Sequence, residues 1–229
     1  MKYFFDTEFI EGFRKPLFGK KSHFIDLISI GIVAENGKKF YQISCEYNYN
    51  DADDWVKENV ILPLYLQTVS GDARNRFTVE NFHKFYGLTN NQIADAVKEF
   101  VYETSGINNP NTIGNWDKVK DKFPIEFYAY YADYDWVVFC SLFGRMIDLP
   151  KGFPMYCKDL KQSLDTYVTQ CRDERMKNET KPINFATWET YLTSVKNHPE
   201  YPIQKNEHNA LDDAKWNFEL FKFLKTVRM

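Results

Sequence analysis

The sequence lacks the features that mark several large classes of protein. Its four cysteines, Cys45, Cys140, Cys157 and Cys171, form no C-x-x-C pair, which excludes a zinc knuckle and offers no disulfide framework. A reducing compartment is the simplest reading. No apolar run is long enough for a membrane span. The longest, such as Ile30 to Ala34 and Trp136 to Cys140, have the length of strand or helix cores. The apolar stretch after Met1 is also far too short for a signal peptide. Internal repeats and low-complexity tracts are missing. A large excess of either charge is missing: the formal net charge is −3, so the chain is no bulk polyanion binder, although a few local cations suffice to hold one nucleic-acid strand. These absences predict a cytoplasmic protein with no membrane partner.

What is present is an apolar, aromatic chain. A hydrophobic fraction of 44% and an aromatic fraction of 17% exclude disorder, and 229 residues fit one large domain better than two. We expect a single domain over residues 1–229, with a variable insertion around 171–207, where the chain turns polar and proline-punctuated. Arg14, Lys15, Lys20 and Lys21 cluster after the first strand, and a solvated charged loop is a better reading of them than a phosphate contact.

Periodicity sets the order of elements. Residues 2–9 read as a strand and residues 24–34 as a second. Glu35-Asn36-Gly37-Lys38 is a tight turn, and residues 40–45 pair back as a third strand. A short helix is expected at 54–60 and a longer one at 91–103, where Ile93, Ala94, Val97, Phe100 and Val101 share one face. Residues 107–123 read as a loop, 126–132 as a fourth strand, and 134–143 as the helix after it. Helices follow at 159–168 and, weakly, 187–195. The last helix, 209–227, carries Ala210, Leu211, Ala214, Phe218, Phe221 and Leu224 as a buried stripe. A meander followed by strand–helix alternation gives an α/β sheet with helices packed on it.

Acids gather at three places where a strand ends or a helix begins: Asp6 and Glu8, Asp133 and Asp135, and Asp212 and Asp213. Helix capping accounts for one acid at each helix start. It explains Asp6 and Glu8 poorly, since no helix begins there. In a strand these two would share a face, about 7 Å apart, and repel each other unless a cation lies between them. Converging carboxylates suit Mg²⁺, and a two-metal site suits hydrolysis of a phosphodiester. Such chemistry needs a base near neutral pH. Among the four histidines only His208 sits just before an acid-bearing amphipathic helix. His23, His83 and His198 read as surface or capping residues.

Asp6-Thr7-Glu8, Tyr134-Asp135 after a strand, and His208-Asn209-Ala210-Leu211-Asp212-Asp213-Ala214 resemble the three motifs of the DEDDh 3′–5′ exonucleases. That superfamily includes RNase T, oligoribonuclease and polymerase proofreading subunits. YFFDTEFIE with DLISIGIVAENGKKFYQIS resembles, more closely, the small bacterial 3′–5′ exoribonucleases. The resemblance is strong over residues 1–45, recurs at 126–144 and 207–224, and is weak between. It implies an RNase H-like fold with a mixed sheet of about five strands, and a metal-dependent exoribonuclease acting on single-stranded or 3′-overhang RNA. It also implies that Asp6, Glu8, Asp135 and Asp213 hold two Mg²⁺ or Mn²⁺ ions and that His208 is the general base. The family's five-residue spacing from histidine to acid selects Asp213 over Asp212. Asp135 ranks above Asp133 because it follows an aromatic. A DNA exonuclease and a non-catalytic nucleic-acid-binding module are the competing readings, and a homodimer is compatible with the family. Phe9, Tyr131 and Trp136 are candidate base-stacking residues by position. Each is individually better explained by packing. Thr7 is a candidate contact to the terminal sugar.

Overall fold

The computed structural model describes residues 1–14, 19–107, 120–122, 124–178 and 187–226. Two long strands, β1 (Lys2–Arg14) and β2 (Ser22–Ala34), form an antiparallel ribbon, and β3 (Lys39–Ile43) pairs back on β2. The turn between β2 and β3 is built as its residues predict. Gly37 takes φ 85°, and the Asn36 side chain accepts from the Lys38 N–H at 3.1 Å. Residues 54–68 then run helical throughout (α1), interrupted by a π-helical turn at Lys57–Ile61. This is twice the expected length, because Val60, Ile61 and Leu64 continue a buried face against Ile10, Ile28 and Ile43.

Helix α2 (Asn90–Ser105) starts at a Thr89–Gln92 capping box and ends at Gly106 in the left-handed region. The loop expected at 107–123 lies mostly outside the described residues. Strand β4 (Glu126–Ala129) is shorter than expected. Tyr131 turns the chain at φ 56°, and α3 (Ala132–Leu142) begins at once. A two-residue strand, β5 (Lys158–Asp159), follows, then α4 (Leu160–Asn178), α5 (Trp188–Lys196) and α6 (Ala210–Thr226). The segment read as an insertion therefore opens as a continuation of α4. Its residues 179–186 lie outside the described set.

The sheet has five strands in the order β3-β2-β1-β4-β5, with β4 parallel to β1 and to β5. This is the mixed five-stranded sheet of the RNase H-like fold. β5 is too short to leave a periodic signal. Alternation along β1 sends Tyr3 and Phe5 to a core shared with α2 and α3, and Phe4 to a core shared with α4, α5 and α6. Helices thus cover both faces of the sheet. Among the described residues no helix is long and apolar enough to cross a membrane.

Two expectations change here. His83 is not a surface residue. It is buried, stacked on Tyr47 with ring centroids 3.9 Å apart, and burial pushes its imidazole down to about 4. Of the expected α6 stripe, Ala210 and Ala214 are buried and Leu211, Phe218, Phe221 and Leu224 are partly covered, while Asp213, Trp216, Asn217, Leu220 and Phe223 complete the buried face.

Candidate active site

The site lies where the sheet splits. β1 pairs with β4 only over Lys2–Phe4, so the next backbone groups on that edge lose their ladder partners. Side chains replace them. Asn217 Nδ2 donates to the Phe5 carbonyl at 3.0 Å, and the Thr7 N–H donates to Asp135 Oδ1 at 2.8 Å. Asp6 stands between these two substitutions, at the mouth of a crevice formed by diverging strands. On the other edge of β1 its register partner is Gly31. A Cβ at Gly31 would overlap the backbone of Ala210 and Leu211, so this glycine lets the first turn of α6 rest directly on the sheet. Asn209 caps that turn, its Oδ1 accepting from the Leu211 and Asp212 N–H groups at 3.2 Å each.

Asp6, Glu8 and Asp213 offer carboxylate oxygens that all lie within 4.8 Å of one another. Asp135 lines the same cavity of about 230 Å³, as do His208 and Asn217. Each acid is held. Asp135 Oδ1 also accepts from the Thr7 hydroxyl at 2.6 Å. Asp213 accepts from the His208 N–H at 2.9 Å and from Gln204 Nε2 at 2.7 Å. Three of the acids are less than one-tenth exposed: Glu8 9%, Asp135 7% and Asp213 7%.

Burial and mutual repulsion make this arrangement unfavourable when every acid is charged. Burial pushes the Glu8 carboxyl up to about 8, with Asp213 and Asp135 adding to the shift. Asp6 is raised well above its ordinary value, first through burial and then through the charges of Asp135, Glu8 and Asp213. Asp135 rises to about 6, because burial outweighs its two bonds from Thr7. Asp213 is also raised by burial, against the bonds from Gln204 and His208. A dense set of desolvated oxygens with unrelieved charge is what a hard divalent cation stabilises.

His208 adopts φ 67° and Asn206 φ 50°, left-handed conformations that non-glycine residues seldom adopt. The strained turn places His208 just before α6, where it lines the cavity of the acids. Trp55 of α1 meets the imidazole edge-to-face, with centroids 4.8 Å apart, and is itself 53% exposed. Asn209 reaches α1 too, donating to Gln67 Oε1 at 2.9 Å.

The structure thus brings Asp6, Glu8, Asp135, Asp213 and His208 to one cavity. Asp133 is exposed outside it, and Asp212 faces Lys215 and Asn206. Thr7 differs from its expected role: it is 4% exposed, and both its donors are tied to Asp135 rather than open to a sugar. Trp136 packs among Phe5, Phe127 and Phe139, so its ring serves the core. Phe9 stacks on Tyr134 at 5.9 Å, and Tyr131 is 63% exposed at the rim. Of the basic cluster, Arg14 is paired with Asp26 and Asp51, Lys20 and Lys21 are exposed, and Lys15 lies outside the described residues. Gln204, Asn217 and Trp55 escaped sequence reasoning. Only Asn217 left a trace, as a polar residue four positions after Asp213 and so on the same helical face.

Five strands in this order, with carboxylates gathered from β1, α3 and α6, define an RNase H-like hydrolase of the acidic-site class. A family model for the Rv2179c-like 3′-5′ exoribonuclease domain matches residues 1–224. The 3′-5′ exoribonuclease Rv2179c of Mycobacterium tuberculosis strain H37Rv and the 3′-5′ exoribonuclease MT2234.1 of strain CDC 1551 are each 32% identical to this chain over 162 residues. The matched stretch is 71% of this chain and 73% of each relative. The chain belongs to the Rv2179c-like 3′-5′ exoribonuclease family and is, by that membership, a nuclease.

Proposed function

We propose that this protein hydrolyses single-stranded or 3′-overhang RNA from the 3′ end, releasing nucleoside 5′-monophosphates with the help of two divalent cations. The observation that carries this reading is the convergence of four acids, three of them buried, and His208 on one open cavity. The donor set fits Mg²⁺ or Mn²⁺: every ligand is a hard oxygen, and the main influences on Asp6 all disfavour its charge. Asp6, Glu8, Asp135 and Asp213 would hold the cations. Bound there, they supply charge stabilisation for the attacking water and the leaving oxygen.

The chain's own residues do the rest. His208, held by its strained turn and by Trp55, accepts the proton of the attacking water at an imidazole nitrogen. Thr7 and Gln204 keep the Asp135 and Asp213 carboxylates oriented through their hydrogen bonds. Exposed rings at Tyr131 and Trp55 offer flat faces for terminal bases, and such stacking tolerates any base. The four cysteines are free thiols, which supports a cytoplasmic location.

Matched 5′-labelled RNA and DNA oligonucleotides, with Mg²⁺ or with EDTA, test this function. Stepwise shortening of RNA from the 3′ end with cation, and none with EDTA, is the expected result. His208→Ala should lower the rate by about 10²–10⁴-fold while the protein stays folded. Preferential degradation of DNA, or full activity in EDTA, would overturn the proposal.

The raised acids also set a pH dependence of stability. A carboxyl whose folded pKa exceeds its unfolded one favours folding below the unfolded value and loses that contribution as pH rises through the folded value. For Glu8 this window runs from 4.5 to about 8, and for Asp135 from 3.8 to about 6. The contribution of these acids in EDTA should therefore decline between pH 5 and 8. Differential scanning fluorimetry should show Mn²⁺ raising the thermal midpoint more at pH 8 than at pH 5. An equal shift at both pH values would count against charge repulsion in the site.

A further inference from the structure

Asn217 is 1% exposed, and it lines the cavity of the acids from the same face of α6 as Asp213. Its carboxamide has two ends with different fates. The end facing the Phe5 carbonyl at 3.0 Å must be the NH₂ group, because a carbonyl only accepts. That contact fixes the orientation of the amide and leaves Oδ1 as the other end. Oδ1 is buried and has no hydrogen-bond partner among the described residues. A buried amide oxygen without a donor is costly, and native structures keep such atoms where something else supplies the bond. The neighbouring acids are no help when ionised, since a carboxylate is an acceptor only. What the site lacks is a donor or a cation.

We propose that Asn217 Oδ1 is a neutral oxygen donor to the hydrated divalent cation held by Asp6, Glu8 and Asp213, which makes Asn217 a positioning residue with two tasks. Its amide nitrogen anchors β1 next to Asp6 where β4 has diverged, and its oxygen faces the cation or a water of its hydration shell. Mg²⁺ retains several waters when bound by carboxylates, so an extra acceptor beside the acids has a defined use. A neutral oxygen adds to the coordination environment without adding charge to a cluster whose acids already repel. The inference rests on the cation reading of the site given above.

Mn²⁺ binding to the protein, followed by electron paramagnetic resonance of the free ion, separates the two tasks. Asn217→Ala and Asn217→Asp both remove the amide donor to Phe5, so both should lower the thermal midpoint in EDTA. Only the alanine variant also removes the oxygen. Asn217→Ala should weaken Mn²⁺ binding by about 10-fold or more, the usual scale for an outer-shell partner. Asn217→Asp should bind Mn²⁺ at least as tightly as the wild type. If the alanine variant does not fold, the aspartate variant alone decides. Unchanged Mn²⁺ affinity in Asn217→Ala, or weakened affinity in Asn217→Asp, would reduce Asn217 to a strand anchor and overturn the proposal. Absence of Mn²⁺ binding by the wild type would instead bring down the cation reading, and this inference with it.

Discussion

Asp6→Asn is expected to abolish hydrolysis and, in the same protein, to raise the thermal midpoint of the cation-free form. Both effects have one cause. Asp6 is the acid whose charge is opposed by burial and by Asp135, Glu8 and Asp213 together. Asparagine keeps the shape and removes the charge, and its amide can donate to the carboxylates left behind. Each unit by which a raised pKa relaxes corresponds to about 1.4 kcal/mol. A chain of this size gains roughly 2–4 °C in midpoint per kcal/mol, so a rise of several degrees at pH 8 is in range. Loss of cation-based charge stabilisation, worth several kcal/mol, lowers the rate by about 10³-fold or more. Mn²⁺ should stabilise the wild type and do little for the variant. Scanning fluorimetry in EDTA and in Mn²⁺, beside an RNA cleavage assay, reads all three effects. A midpoint that falls in EDTA would sink the repulsion account, and retained cleavage would sink the site assignment.

How much of this was legible in the sequence follows from the range of each signal. The β2–β3 turn, α2 and the three acidic motifs depend on neighbours within a few residues, and all stand where periodicity and turn chemistry placed them. β5 did not show, since two residues cannot display a period. The end of α1 was missed because a tertiary face, not a local stop signal, sets its length. Helix α4, in contrast, runs on past Val168 through polar residues that join no core cluster and so carry no apolar period. In the candidate site, the three acidic pairs were readable because charge at the ends of apolar elements is conspicuous, and the motifs of the family resemblance singled out Asp135 and Asp213 within them. Gln204, Asn217 and Trp55 were not. Their roles depend on which backbone group or ring lies opposite after folding, and nothing in a polar loop or at a helix start announces that. Thr7 shows the same limit from the other side. Its place beside the acids was plain, but its partner lies 128 residues away.

Gly31→Ala is expected to damage the site more than any other single-methyl change in the sheet. The new Cβ would point at the backbone of Ala210 and Leu211, which cannot rotate aside as a side chain does. Relief requires the start of α6 to lift from β2. That turn carries His208 and Asp213, whose positions depend on the bonds between them and on Gln204. The same sheet position faces Asp6 across the β1–β2 ladder, so the displacement separates the acids of β1 from those of α6. Overpacking of this kind costs about 1–3 kcal/mol. A shift of only 1 Å in catalytic geometry lowers rates by about 100-fold. The variant should therefore remain folded at low temperature, with a lower midpoint, and lose RNA cleavage far beyond what its stability loss explains. Its Mn²⁺ affinity should fall in parallel, because the three clustered oxygens come from both elements. Wild-type cleavage in Gly31→Ala would show that α6 is free to shift without consequence. The close seat of α6 on the sheet would then not be what assembles the site.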